Sequence, residues 1–255
     1  MSDTPEWHAC AAIVEKGDPD RFRAAMAAPA DKRSILFPIY AANVEISRAP
    51  WVTQEPMIAE MRLQWWRDVM EQIVERTDVR RHEVATPLAK VLSKAGAEAL
   101  DDLIAARRWD IYKDPFEDEI AFTSYLERTA GGLLFASADA LGQADKQTAN
   151  DAGFAAGLAG LFQAIPALEA AKRIPLLDGR REAIVALATE GLKRLNIARK
   201  SRATLAQEAC ISMWQVEPIL RQAQHYPGLV VDGGLAVSNL TSTLRLSKAA
   251  LFGRW

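Results

Sequence analysis

Apolar residues in this chain recur at three- and four-residue intervals and almost nowhere alternate. A period near 3.6 marks a helix that buries one face, and a period of two marks a half-buried strand. The clearest case follows Glu55–Pro56. Ile58, Met61, Trp65, Val69 and Ile73 form one apolar stripe there, and Met57, Trp66, Met70 and Val74 form a second beside it. Two adjoining stripes predict a helix packed on more than one neighbour. Glu60, Gln64, Arg67, Asp68 and Glu71 are left for the polar side. Trp65 and Trp66 fall inside the apolar arc and read as core; lining a ligand cavity or a partner surface is the other use of such rings. Alanine, the best helix former, is frequent. Only GLVVDGG (228–234) looks strand-like, and its glycines favour a loop. An all-α fold is expected.

Helix starts are marked by an acid or small residue followed by proline. Asp18–Pro19 opens one helix. Ala28–Pro29 opens the next, to about Ser47, and Glu55–Pro56 a third, to about Arg76. Asp114–Pro115 precedes a long helical stretch ending near Gly142. Segments 145–171, 179–200 and 238–255 read as three more. In RTDVRRHEVAT (76–86) charge rises and periodicity lapses, which predicts a surface loop. No fixed repeat and no Pro/Gly/Ser-rich linker divides the chain, so residues 1–255 are expected to form one domain of about ten helices.

Several classes of chemistry find no support. With 31 Lys+Arg against 33 Asp+Glu, the net charge of -2 argues against binding nucleic acid by bulk phosphate neutralisation. Cys10 and Cys210 have no CxxC spacing and read as buried thiols of a reducing compartment. The opening MSDTPEWHAC lacks a basic-then-apolar signal pattern, and charges interrupt the apolar runs, so no membrane span is expected and a cytoplasmic location is. His8, His82 and His225 lack metal-site spacing and read as surface or cap residues. Neither a Walker loop nor a GxSxG elbow is present. Asp101 and Asp102, in DDLIAARRWD, read as acids at a helix start that compensate its dipole.

Three stretches together resemble the squalene/phytoene synthase family: 20–71, 99–142 and 155–177. The resemblance implies an isoprenoid-synthase helical bundle around a central cavity. In working members, two DxxxD motifs face each other across that cavity. Aspartates at i and i+4 share a helix face, and Mg²⁺, a hard ion, bridges carboxylate to diphosphate oxygens as the prenyl chain ionises. Aligned on Tyr40, the first motif's acids fall on Ser47 and Trp51, with Arg48 at an intervening acidic position. Aligned over 157–173, the second motif's acids fall on Ala164 and Leu168, and the asparagine a turn earlier on Gly160. No acid occurs between 155 and 168, so a register slip restores nothing; Glu45 and Glu169 are the nearby acids. Arg48 is expected to put positive charge where the metal would sit, and Trp51 and Leu168 to fill cavity space. Tyr125, Ala130 and Gly131, in YLERTAGG, match the family's small-residue helix.

RLQWWRD (62–68), APADKRSILFPIYAANVEI (28–46) and the acid-free third stretch resemble a degenerate branch of the family, the bacterial counterparts of a mitochondrial respiratory complex I assembly factor. That resemblance implies a non-catalytic binding or assembly role with complex I subunits as partners and no cofactor. A second reading is a prenyl transferase with an atypical site. There Arg48, Arg62, Arg67 and Arg173 would grip diphosphate with their guanidinium forks, and Mg²⁺ enters only in this reading. Against it, such arginines commonly pair along their own helix, as Arg67 with Glu71 would. A third reading is a lipid- or isoprenoid-binding protein peripheral to the inner membrane, touching it through LRLSKAALFGRW (244–255), where basic and large apolar residues mix. Docking of that helix on the core is the plainer use of the same residues. Besides the motif positions, candidate cavity or anion-binding residues are Tyr40, Arg48, Arg62, Trp65, Trp66, Arg67, Tyr125 and Arg173; no residue is a candidate metal ligand.

Overall fold

The computed structural model describes residues 7–53 and 55–255. The residues before Trp7, including most of the acidic opening, lie outside them. In chain order the helices are α1 (Trp7–Gly17), α2 (Pro19–Ala27), α3 (Ala30–Arg48), α4 (Pro56–Glu75), α5 (Ala85–Val91), α6 (Lys94–Arg107), α7 (Glu119–Leu126), α8 (Gly132–Ala140), α9 (Lys146–Ala170), α10 (Arg181–Lys200), α11 (Gln207–Cys210), α12 (Val216–His225), α13 (Gly228–Val231) and α14 (Asn239–Phe252). No strand occurs among the described residues.

Local chemistry explains most boundaries. Asp18, Ser93, Asp118, Asp145 and Ser238 each accept a hydrogen bond from a backbone N–H in the first turn of α2, α6, α7, α9 and α14, satisfying donors that a helix start leaves free. Arg76 and Gly253, at positive φ, close α4 and α14.

Some expectations need correction. The stretch after Asp114–Pro115 is not one helix: its cap is Asp118, and a π-helical segment, Glu127–Gly131, separates α7 from α8. Asp101 and Asp102 sit in the middle of α6, because Ser93 caps it two turns earlier. They face Arg67 and Arg128 across helices instead of a dipole. Residues 228–231 form a helical turn before the expected loop. On α4 the buried line is Ala59, Leu63, Trp66, Val69, Met70 and Ile73, while Met57, Ile58 and Met61 are exposed and Trp65 is half-buried. α4 packs chiefly on α6 and also on α3 and the 3₁₀ turn Ala49–Trp51, so it has more than one neighbour as the double stripe predicts, while Met57, Ile58 and Met61 stay uncovered.

α9 runs through the centre, against α8, α10, α12 and the π segment. Among the described residues it is the one helix long and apolar enough to span a membrane by length and composition, contrary to the sequence expectation, and most of that window is buried within the bundle. A Cβ on Gly153 would enter the backbone of Gly131, so α9 and the π segment meet backbone to backbone. Arg194 of α10 reaches Glu127 at 2.6 Å and Asp151 at 2.8 Å, tying α10 to both. Cys10 and Cys210 are free thiols in the core, and burial pushes each up to about 12.

Candidate functional site

Helices α2, α3, α7, α8 and α9 enclose a cavity of about 370 Å³. Ser47 and Asn43 enter it from α3, and Trp51 from the 3₁₀ turn Ala49–Trp51 that follows. Gly160, Ala164 and Leu168, one turn apart on α9, form the opposite wall. Five of the six positions aligned with the family's motif residues therefore line one space, and Arg48 does not.

Polar groups cluster where Arg107 ends α6 and the 3₁₀ turn Arg108–Asp110 folds back beneath α7. Arg107 Nη1 donates to the Tyr125 hydroxyl at 2.7 Å and to Asp110 Oδ2 at 3.0 Å, and the Tyr125 hydroxyl donates to Asp110 Oδ1 at 2.8 Å. Burial works against the charge of Arg107, but Tyr125 and Asp110 more than offset it and hold the guanidinium above its ordinary pKa. Burial likewise raises the Tyr125 phenol. Arg21 enters from α2 and pairs with Asp18, whose carboxyl is held below its usual range by that guanidinium in spite of burial. Each buried charge thus has a partner, as the cost of desolvation demands. Arg107 Nε and Trp109 Nε1 are buried donors with no acceptor among the described residues.

A divalent cation does not fit this donor set. Among the described residues Asp110 is the one carboxylate lining the cavity, and both its oxygens are engaged by Arg107 and Tyr125. Among the described residues no group of three His, Cys, Asp or Glu side chains could hold a metal. Instead the cavity presents donors over an apolar floor of Leu126, Leu133 and Leu161.

The squalene/phytoene synthase family model matches residues 14–215. The chain belongs to that family. The complex I assembly factor 6 homolog of Drosophila melanogaster is 28% identical over 215 residues, covering 79% of this chain and 61% of the fly protein. Human NADH dehydrogenase (ubiquinone) complex I, assembly factor 6, is 26% identical over 165 residues, 62% of this chain and 49% of its own length. The chain thus spans less than two thirds of these curated relatives. Among solved structures, a dehydrosqualene synthase in complex with ligand superposes with a TM-score of 0.76 at 14% identity, over 96% of this chain and 95% of its own. Squalene synthase HpnC from Alicyclobacillus acidocaldarius gives 0.72 at 13%, over 86% and 93%. At such identities the structures establish the fold, an all-α isoprenoid-synthase bundle.

The remaining candidates of this family member divide. Tyr125 lines the cavity. Tyr40 does not: it is fully buried, with Ser212 and Ser137 near its hydroxyl, and burial pushes its phenol up to about 12. Arg173 does not reach inside. It donates to the carbonyls of Asp110 and Tyr112 and lies 4.5 Å over the Trp51 ring, closing one end of the cavity. Arg67 pairs with Asp101 of α6 at 2.7 and 2.9 Å and not with Glu71. Arg48, Arg62, Trp65 and Trp66 line a separate groove on the outer side of α3 and α4. Arg48 therefore places no charge at the motif position, because it is rotated about 100° from Ser47 on the helix. Sequence reading missed Arg21, Asn43, Arg107, Trp109, Asp110 and Thr129. The Arg107–Asp110 spacing of i, i+3 was legible, but that the turn folds back under α7 was not.

Proposed function

We propose that this chain is a non-catalytic squalene/phytoene synthase-like module that serves in assembling respiratory complex I, with subunits of that complex as its partners. One observation carries the reading: Ser47, Trp51, Ala164 and Leu168 surround the cavity at the four places where the family's chemistry needs carboxylates. Without them no metal ion is held there to neutralise a departing diphosphate. The assembly-factor names of the fly and human relatives supply the role. Deleting the gene in its host is expected to deplete assembled complex I on native gels and lower NADH:quinone reductase activity, with restoration by a plasmid copy. Unchanged complex I would refute the assembly role. Formation of squalene or phytoene from farnesyl or geranylgeranyl diphosphate and Mg²⁺ by purified protein would refute the non-catalytic part.

The same proposal places the chain in the cytoplasm, peripheral to the inner membrane, through α14. Ser242 and Ala249 face the core, and on the opposite side Leu240, Leu244 and Leu251 stand 81%, 72% and 73% exposed. Trp255 is buried beyond the helix, so α14 lies along the surface instead of projecting from it. No acid follows Asp232, while Arg245, Lys248 and Arg254 do. Outward leucines flanked by long basic side chains suit an anionic lipid surface. Flotation of the full chain with anionic vesicles, abolished in Leu244→Glu/Leu251→Glu, is expected; equal flotation of both proteins would remove the idea.

A further inference from the structure

Outside the family cavity, the end of α3, the first half of α4 and the loop 76–84 bound a groove of about 520 Å³. Glu45, Arg48, Arg62 and His82 converge there. Arg48 and Arg62 make neither an ion pair nor a hydrogen bond within the described residues, whereas Arg21, Arg67, Arg107 and Arg194 all do. The His82 ring is oriented by the backbone: Nδ1 accepts from the N–H groups of Val84 at 3.2 Å and Ala85 at 3.4 Å, where α5 begins. The proton therefore sits on Nε2. Nε2 stands 4.0 Å from Glu45 Oε2, beyond a hydrogen bond. Trp65 forms a flat wall, 4.9 Å from the His82 ring and T-shaped against Trp66. Two guanidinium groups face one carboxylate among the lining residues, and Glu83, close enough to act on Glu45, stands outside the lining.

We infer that this groove binds an organic oxyanion, a phosphate or carboxylate carried on a flat apolar body. Arg48 and Arg62 grip the oxygens, as planar guanidinium forks do. His82 Nε2–H donates to one oxygen, and its tautomer is fixed before the ligand arrives. Trp65 packs on the apolar body. Glu45 sets the selectivity: a bare, highly charged anion meets a carboxylate, and a monoester with a neutral ring beside it does not. None of these groups belongs to the central cavity, so the site is independent of the lost metal chemistry.

The chain has three histidines, His8, His82 and His225, so ring resonances of ¹⁵N-histidine-labelled full chain can be assigned by His→Gln replacement. The probes are phenyl phosphate, benzoate and inorganic phosphate. The free protein is expected to show His82 as the Nε2–H tautomer. Phenyl phosphate or benzoate, whichever head group the site takes, should shift His82 alone and bind more tightly than inorganic phosphate. Arg48→Gln/Arg62→Gln, both at exposed positions, should weaken binding by about tenfold or more in a protein whose helical content by circular dichroism is unchanged. Tighter binding of phenyl phosphate than benzoate assigns a phosphate ligand, and the reverse a carboxylate. His82 unmoved by both aromatic probes, equal affinity in the double variant, or no preference for the aromatic probes over inorganic phosphate would each overturn the inference.

Discussion

Gly153→Ala and Gly160→Ala are one chemical change made two turns apart on α9, and the structure predicts opposite outcomes. In a helix interior the change by itself favours the folded state by about 1 kcal/mol. At Gly160 nothing lies within 4 Å of the added methyl group, so that gain survives. At Gly153 the methyl would stand 2.9 Å from the carbonyl carbon of Ala130 and closer still to N and Cα of Gly131, inside the 3.0 Å that real Cβ atoms keep. The obstacle is backbone, so no rotamer change relieves it, and α9 must move off the π segment. Overpacking costs about 1–3 kcal/mol where side chains can adjust, and rigid backbone places this case at the upper end. The net expectation is a loss of about 2 kcal/mol for Gly153→Ala and a gain of up to about 1 kcal/mol for Gly160→Ala. In a chain this size that is a fall in Tm of about 4–8 °C and a rise of about 2–4 °C. Urea melts should show Cm moving in opposite directions with m unchanged. A Gly153→Ala protein as stable as the parent would refute the backbone-contact reasoning.

Other perturbations test the electrostatics. Burial tends to raise the Glu217 carboxyl, but Arg221 and Arg199 outweigh it and hold it at about 2, below its ordinary 4.5. This stabilisation is present above pH 4.5 and is lost as pH falls towards 2, so Glu217→Gln should be less stable at neutral pH and lose less between those values in acid melts. Glu45 is the opposite case, because burial raises its pKa in spite of His82, Arg48 and Arg62. Its charge therefore opposes folding at neutral pH, and Glu45→Gln should raise Tm there and not below the ordinary carboxylate range; a loss at neutral pH would contradict the assignment. Finally, Ser47→Asp/Trp51→Asp/Ala164→Asp/Leu168→Asp rebuilds two facing acid pairs. MgCl₂ should raise the Tm of this variant and not of the parent, and equal responses would show that the four positions do not share a metal-sized space.

Several elements are readable from sequence because their signals are local. Asp18–Pro19, Asp145 and Ser238 act on donors within the next turn, so the starts of α2, α9 and α14 need no tertiary context. The start of α7 is harder to place because Asp114–Pro115 offers the same signal as Asp118, and only the folded chain shows which acid reaches a free N–H. The i, i+4 spacing of Ala164 with Leu168 is enough by itself to put that pair on one face of α9, whereas Trp51 reaches the cavity beside Ser47 only because a 3₁₀ turn follows α3. Arg67 goes to Asp101 instead of its helical neighbour Glu71, a choice between acids equally near in principle that depends on how α6 lies against α4.

By itself the sequence determined the helical class, several helix starts and the absence of paired acids at the motif positions, since periodicity, capping and residue identity are properties of a few consecutive residues. Tertiary packing decided everything that depends on two elements meeting. It set Ser47 in the cavity and Arg48 in the outer groove, joined Arg107, Asp110 and Tyr125, and turned the leucines of α14 outward. The reason is angular: successive helical residues point about 100° apart, so one helix's rotation against its neighbours gives adjacent side chains different surroundings.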